Sequence, residues 1–504
     1  MKMPPPRPSA RRAPLTACLA LVLCGPAVAA TGSDAPLPGR ALVHAWEGRP
    51  DLRPGAARAR IAAALPRLVH APATLPVTSC LDDGSPGTLR AVVASAASGD
   101  TVDMSELACG TITLATGQIN VYVADLTLQG PGQSALTIDG NHAGRVLAAY
   151  ALGTLTLADL TVANGYQTSP AYGGCIYTQA YDGASGISLS HVTVDHCTAY
   201  SAGSGLAAGG GILTMGSLWL AASTLSNNVA TAPNGTQIVG GAAYVSFDLV
   251  ASNSTVTGNS AVRATAGSAA FALAGGINVA PRGSQSSITG STFSDNVADS
   301  FGGALFMYVP ASGAGTTSMQ IRNSTISGNT SGSASGIEID TGSNAPFQLA
   351  LGNSTIAFNT FTSTESNRCG GITQAGYTDS VVDLESTIIA NDTGPGGIES
   401  DACGRATSSL TGANSLVMVS VLPLPPGTLS DDPMLGPLQD NGGPTLTHAL
   451  LPGSPAIDNG NNVAALDFDQ RGAGFARSSG RGPDIGAFEV QTGDDTLFAN
   501  GFDP

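Results

Sequence analysis

Ser223-Thr224-Leu225-Ser226-Asn227-Asn228 is one copy of a phrase that decides the fold: two small hydroxyl residues, an apolar residue, two further positions, then asparagine. It returns as Ser254-Thr255-Val256-Thr257-Gly258-Asn259 and Ser291-Thr292-Phe293-Ser294-Asp295-Asn296, then at Ser324 to Asn329, Ser354 to Asn359 and Ser386 to Asn391. Weaker copies centre on Val162 and Val194. With the apolar residue as marker, the series Val162, Val194, Leu225, Val256, Phe293, Ile326, Ile356 and Ile388 advances by 32, 31, 31, 37, 33, 30 and 32 residues. Such a period marks a repeat architecture. Glycine pairs punctuate the intervals, at Gly173-Gly174, Gly209-Gly210, Gly240-Gly241, Gly275-Gly276, Gly302-Gly303, Gly370-Gly371 and Gly396-Gly397.

Between these marks lie short alternating stretches such as Ser217-Leu218-Trp219-Leu220 and Ile337-Glu338-Ile339-Asp340, with no helical periodicity. A unit of that size cannot bury an apolar face alone, so each must stack on the next. One coil per repeat at about 4.8 Å spacing predicts an all-β chain, a right-handed parallel β-helix. The markers then fill the interior and the motif Asn residues bond backbone at a corner. The paired glycines suit positive φ or close approach of neighbouring coils. Asn253-Ser254-Thr255, Asn323-Ser324-Thr325 and Asn353-Ser354-Thr355 spell glycosylation sequons, yet they coincide with the phrase and read as structural.

Composition narrows function. Gly accounts for 65 of 504 residues and aromatics for 5%, which suits small-residue corners better than helical packing. Net charge is −16, and after Arg90 the chain carries 31 Asp and Glu against 9 Arg. Such a surface repels phosphate backbones, which argues against a nucleic-acid partner. It attracts divalent cations such as calcium, or is an ordinary solvated acidic surface.

In chain order, residues 1–30 combine a basic start (Lys2, Arg7, Arg11, Arg12), an apolar run and Ala27-Val28-Ala29. That pattern is a secretory signal. No later segment reaches the roughly 18 apolar residues of a membrane span. Residues 31–78 are Ala-, Pro- and Arg-rich and read as a linker. Residues 79–150 begin with Leu89, Val92, Val93 and Ala96 on one helical face, a cap over the first open coil. The repeats occupy 151–415. Cys80, Cys109, Cys175, Cys197, Cys369 and Cys403 remain once the signal is removed, an even number in an exported chain and hence disulfides. Gaps of 29, 22 and 34 residues approach one coil, so sequential pairing staples neighbours.

Two kinds of site are written in the residues. Polysaccharide lyases of this shape need calcium-binding carboxylates beside a proton-removing Arg or Lys; hydrolases need two or three carboxylates at the scissile bond. The candidate pairs are Glu338 with Asp340 and Asp383 with Glu385, with Arg322 and Arg368 in neighbouring repeats. A solvated outer face, with Ile337 and Ile339 pointing inward, explains the same alternation. For binding, Tyr166, Tyr172, Tyr177, Tyr181 and Tyr200 crowd one region with Asp182. Aromatic rings stack on sugars and dominate interfaces, or here pack over the first coils.

Three stretches resemble known families. Leu89-Arg90, Gly99-Asp100-Thr101-Val102 and Leu136-Thr137-Ile138-Asp139-Gly140 are similar to the amino-terminal part of exported bacterial β-helix proteins with a Cys-Ser-Leu-Arg-Glu-Ala motif, whose Cys and Glu are missing here. Phe293-Ser294-Asp295-Asn296 with Gly302-Gly303-Ala304-Leu305 looks like the repeats of polymorphic outer-membrane proteins. Asp432-Pro433-Met434-Leu435-Gly436 through Asn441-Gly442-Gly443-Pro444, Gly453-Ser454-Pro455-Ala456-Ile457-Asp458, Asp469-Gln470-Arg471-Gly472 and Asp484-Ile485-Gly486-Ala487-Phe488-Glu489 resemble the choice-of-anchor Q family, placing that region at 416–491 with a tail at 492–504. The resemblance implies export and surface or extracellular residence. The expectation is a surface protein that binds an extracellular polysaccharide or a host or matrix surface, with a lyase or hydrolase and a structural spacer as the competing readings.

Overall fold

The computed structural model describes residues 71–491 apart from 204, 234–236, 266–269, 283–285, 311–316, 343–344, 365–367, 398 and 406. The segments expected to be a signal (1–30) and a tail (492–504), and most of the expected linker (31–78), lie outside those residues.

The turn beginning at Gly186 shows the plan. Strand Gly186–Asp195 lies in a 21-stranded first sheet, Thr198–Tyr200 and Ala207–Ala208 in an 11-stranded second sheet, and Ile212–Thr214 in a 10-stranded third. The next turn repeats it with Ser217–Ala221 and Thr224–Ser226, Val229–Ala232 and Gln237–Val239, then Ala243–Val245. Pairing from turn to turn is parallel throughout the three sheets. The chain is therefore a right-handed parallel β-helix of about ten turns, one third-sheet strand per turn.

The repeated phrase makes three ladders. Val162, Val194, Leu225, Val256, Phe293, Ile326 and Ile356 stand in register and point into the core, each buried. Removing such side chains from water contributes about 1.5–3 kcal/mol apiece. At the bend of the first sheet, Ala222, Asn253, Asn323 and Asn353 hold φ of 46°, 48°, 45° and 47°. The serine that follows each bend accepts the preceding turn's N–H, as Ser254 Oγ does from Ser223 at 3.1 Å. The sequon asparagines thus serve the left-handed bend.

The third ladder is buried asparagine. Asn259 Oδ1 accepts from the backbone N–H and the Nδ2 of Asn228, at 3.0 and 2.9 Å, and Asn259 Nδ2 donates onward to Asn296 Oδ1 and to Leu225 O. The pattern runs on through Asn329 and Asn359. Every such bond contributes about 1 kcal/mol net, and none can be dropped cheaply because the groups are dry. At the corners of Gly173, Gly209, Gly240 and Gly302 the first residue of the pair holds positive φ (63° at Gly209), a place Ala274 takes before Gly275-Gly276. A Cβ on the second, Gly210, would lie 2.2 Å from Gly241 O.

The structure corrects the last repeat. Ile356 pairs with Ile389, so Ile389 is the interior marker and Ile388 faces outward. The phrase has slipped by one: Asn391 takes the positive-φ place of Phe358, and Asp392 takes the ladder place of Asn359. The linker boundary also moves, because Thr74–Pro76 pairs with Thr101–Asp103 as the first strand. The cap helix spans Leu89–Ser95, started by Thr88, whose hydroxyl accepts the Ala91 N–H, and it buries Leu89, Val92 and Val93. Disulfides join Cys80 to Cys109, Cys175 to Cys197 and Cys369 to Cys403.

Residues 433–490 form a clip. Antiparallel strands Leu435–Gln439 and Thr447–Leu450 lead into loops that lie back over the outer face of the first sheet. Leu450, Ala456, Ile485 and Phe488 cover Ile388, Ala390 and Leu416. The clip is braced by two dry ion pairs, Arg477 with Glu489 and Arg471 with Asp469, each 2.7 Å, and the Arg471 guanidinium lies 3.9 and 3.8 Å from the ring centres of Phe475 and Phe488.

Candidate functional site

The residues proposed for lyase or hydrolase chemistry occupy three separate faces. Arg322, Asp383 and Glu385 lie on the outer face of the first sheet. Arg322 and Glu385 share one row through Gly352, two strand spacings or roughly 10 Å apart at the backbone. Glu385 Oε2 accepts from Asn461 of the clip at 2.9 Å, and Asp383 from Thr411 at 2.8 Å. Arg368 lies instead over the Phe301 ring and reaches Ser333. Glu338 and Asp340 project outward from the third sheet but are 0% and 3% exposed, so a solvated face is not the reason for their alternation. The expected gathering of both carboxylate pairs with Arg322 and Arg368 therefore does not occur. Among the described residues no three His, Cys, Asp or Glu are grouped to hold a metal ion.

A Ser–His contact that sequence spacing hides does form. Ser327 Oγ lies 2.8 Å from His448 Nε2, while His448 Nδ1 lies 2.7 Å from Gly436 O, so Nδ1 carries the proton and Nε2 accepts. Burial holds the imidazole below its usual range, and no carboxylate backs it. This is a clip contact, not a nucleophile's base.

The tyrosines crowded in sequence are dispersed in space. Tyr166 and Tyr200 stack at 6.3 Å on the second sheet. Tyr172 is buried and its carbonyl accepts from Arg145. Tyr181 meets Phe247 edge-on at 5.2 Å and accepts from Arg282, and Asp182 closes a local turn through the Ala184 and Ser185 N–H groups. Tyr177 belongs elsewhere, with partners that density along the chain did not reveal.

The ring partner of Tyr177 is Tyr150, which in turn stacks on Tyr122. Strands Ile119–Val121, Leu147–Ala149 and Ile176–Thr178 pair in register in the third sheet. The residues that follow Val121 and Ala149 are therefore one above the other. The Tyr122 and Tyr150 rings stack at 5.5 Å and 19°, and Tyr150 meets Tyr177 edge-on at 6.2 Å. Tyr122 is 71% exposed and Tyr150 37%. Polar groups hold the pair: Gln118 Nε2 donates to Tyr150 Oη at 3.1 Å and to Asn120 Oδ1 at 2.7 Å, and Gln118 Oε1 accepts from Arg145 at 2.7 Å. Burial pulls the Arg145 guanidinium down to about 10. A cleft of about 270 Å³ opens beside Tyr122, between it and the cap helix, lined by Arg90, Val93, Ala96, Asn120, Tyr122 and Val123. The sequence signal was the 28-residue spacing of Tyr122 and Tyr150, the length of the coil from Ile119 to Leu147.

No family model and no curated protein matches this chain. Among solved structures it is similar to one described as "Crystal structure of pectate lyase Pel9A", at 14% identity and a TM-score of 0.38, over 84% of this chain and 97% of that one. At that level the likeness says nothing of activity.

Proposed function

We propose that the chain is an exported β-helix of the cell surface or extracellular space that binds a glycan without turning it over, in the manner of an adhesin. The observation that carries this is the stacked Tyr122–Tyr150 pair, held open to solvent at one end of the solenoid. A tyrosine ring left 71% exposed buries little of its own apolar area, so its place is explained by what stacks on it. Three disulfides suit an oxidising compartment, and the signal pattern at 1–30 and the choice-of-anchor Q resemblance of the clip suit the same destination.

The test incubates the purified protein with neutral and acidic polysaccharides, with and without calcium. Retention is followed together with unsaturated-product absorbance and reducing ends. Retention without new ends is expected. Turnover abolished in Arg322→Ala would replace this reading with the lyase or hydrolase, and neither turnover nor retention would leave a spacer.

A further inference from the structure

We infer that the cleft beside Tyr122 takes one uncharged pyranose unit of a neutral polysaccharide, a specificity that rests on the glycan-binding reading above. The cleft is lined by Tyr122 but not by Tyr150, so it lies on the side of the Tyr122 ring that the stack leaves free. Its volume, about 270 Å³, is at the small end of ligand sites and suits one sugar ring rather than an oligomer. The free ring face meets the apolar C–H face of a pyranose; the walls Val93, Ala96 and Val123 are apolar and add no charge.

The polar side of the cleft decides between a neutral sugar and a uronate. Arg90 is the cation in the lining, and it is already engaged. Its Nε and Nη2 bind the two oxygens of Asp82 at 2.8 and 2.9 Å, while Nη1 and Nη2 also donate to the carbonyls of Gln118 and Gly117 at 2.8 and 2.6 Å. Burial works to raise the Asp82 carboxyl, but Arg90 and the N–H groups of Ala115 and Thr116 outweigh it and hold the group below the usual carboxylate range. The pair is therefore ionised on both sides and internally neutral. Arg145, the next cation, is buried and gives its N–H groups to Tyr172 O, Gly173 O and Gln118 Oε1. Neither of these two guanidinium forks is left to take a carboxylate in two-point fashion. What remains is Asn120, exposed, whose Oδ1 is taken by Gln118 and whose amide group is a neutral donor for a hydroxyl. The chain as a whole carries a net charge of −16, which adds long-range repulsion against polyanions.

The experiment measures affinity electrophoresis of the full chain in gels containing mannan, laminarin or arabinoxylan, and in parallel polygalacturonate or alginate, at 20 and 300 mM salt. At least one neutral polymer is expected to retard the protein independently of salt, with the acidic polymers inert. Tyr122→Ala is expected to weaken that binding about tenfold and Tyr122→Trp to keep it. Tyr122 is largely exposed, and an unchanged melting curve for both variants separates lost binding from lost fold. Salt-sensitive retention by an acidic polymer that Tyr122→Ala removes would overturn the neutral specificity while leaving glycan binding intact. Retention indifferent to Tyr122 would overturn the cleft as the binding site and leave glycan binding to another surface, and no retention with any polymer would overturn both.

Discussion

Thr224 and Thr325 stand in the same row of the first sheet, three coils apart, and their surroundings have almost nothing else in common. Thr137, Thr161, Thr193, Thr224 and Thr255 form a half-exposed threonine row along the outer face. The row continues as Thr292, Thr325 and Thr355, and there it is covered by the clip. Thr292 donates to Leu446 O, Thr325 to Gln470 Oε1, and Thr355 accepts the Ala487 N–H. Gln470 spans two rungs, its Nε2 donating to Thr292 Oγ1 at 3.0 Å. One phrase thus specifies the same coil in both halves, and a segment more than a hundred residues downstream decides whether its outer row is surface or interface.

The strongest way to break the comparison is to strip the covered half. Glu489 and Arg477 are 0% exposed at their side chains, and Glu489 also accepts the N–H groups of Ser479 and Asp484. Glu489→Ala leaves a dry guanidinium unpaired and is expected to destabilise the clip by about 3–5 kcal/mol. Limited trypsin digestion should then cut at Arg471, Arg477 and Arg481 while the far-ultraviolet signal of the coils persists. Loss of the coil signal in the same transition would mean that covered and open halves are one cooperative unit.

What the sequence made legible follows the same division. The interior repeats because every coil offers the same partners, so the marker, the asparagine ladder and the glycine corners were readable as a period. The slip at Ile388 escaped because two isoleucines are adjacent and one residue reverses inward and outward. Glu338 and Asp340 looked solvated because a strand's outer residues alternate whether or not they are covered. Tyr122 and Tyr150 escaped for the opposite reason: they are far apart in sequence and adjacent in space by one coil length, whereas the crowded tyrosines share a stretch of chain and not a face.

A smaller effect sharpens the contrast inside the core. The ladder is asparagine as far as Asn359 and ends under the clip in Asp392, whose Oδ1 accepts from Asn359 and whose carboxyl faces that of Asp401 in the buried interior. Burial and the facing Asp401 push Asp392 well above the usual carboxylate range, and burial pushes Asp401, with Glu399 nearby, up to about 7. A carboxyl raised in the folded state binds more protons folded than unfolded, so stability is full below about pH 4 and falls as pH rises through 7. Asp392→Asn restores the amide and is expected to flatten that fall, with a higher urea midpoint at pH 8 and little change at pH 4.5. An equal gain at both pH values would show that the ladder, not the charge, is at fault.

The finest test compares the two threonines directly. Thr325→Val removes a hydroxyl that donates at 2.6 Å to Gln470 Oε1 in a dry contact, and valine, nearly the same shape, leaves that oxygen without its donor. The expected cost is about 1–2 kcal/mol. Thr224→Val changes the same atom in the same row where water replaces any lost bond, and the expected change is within about 0.5 kcal/mol. Both variants keep the branched side chain that suits a strand, so propensity cancels between them. Urea midpoints therefore report the cover alone. Equal costs would mean that the clip rests on the row without reading it, and Gln470→Ala would then be as harmless as Thr224→Val. Unequal costs, with Gln470→Ala and Thr325→Val together costing less than their sum, would show that the clip recognises the ladder through this glutamine.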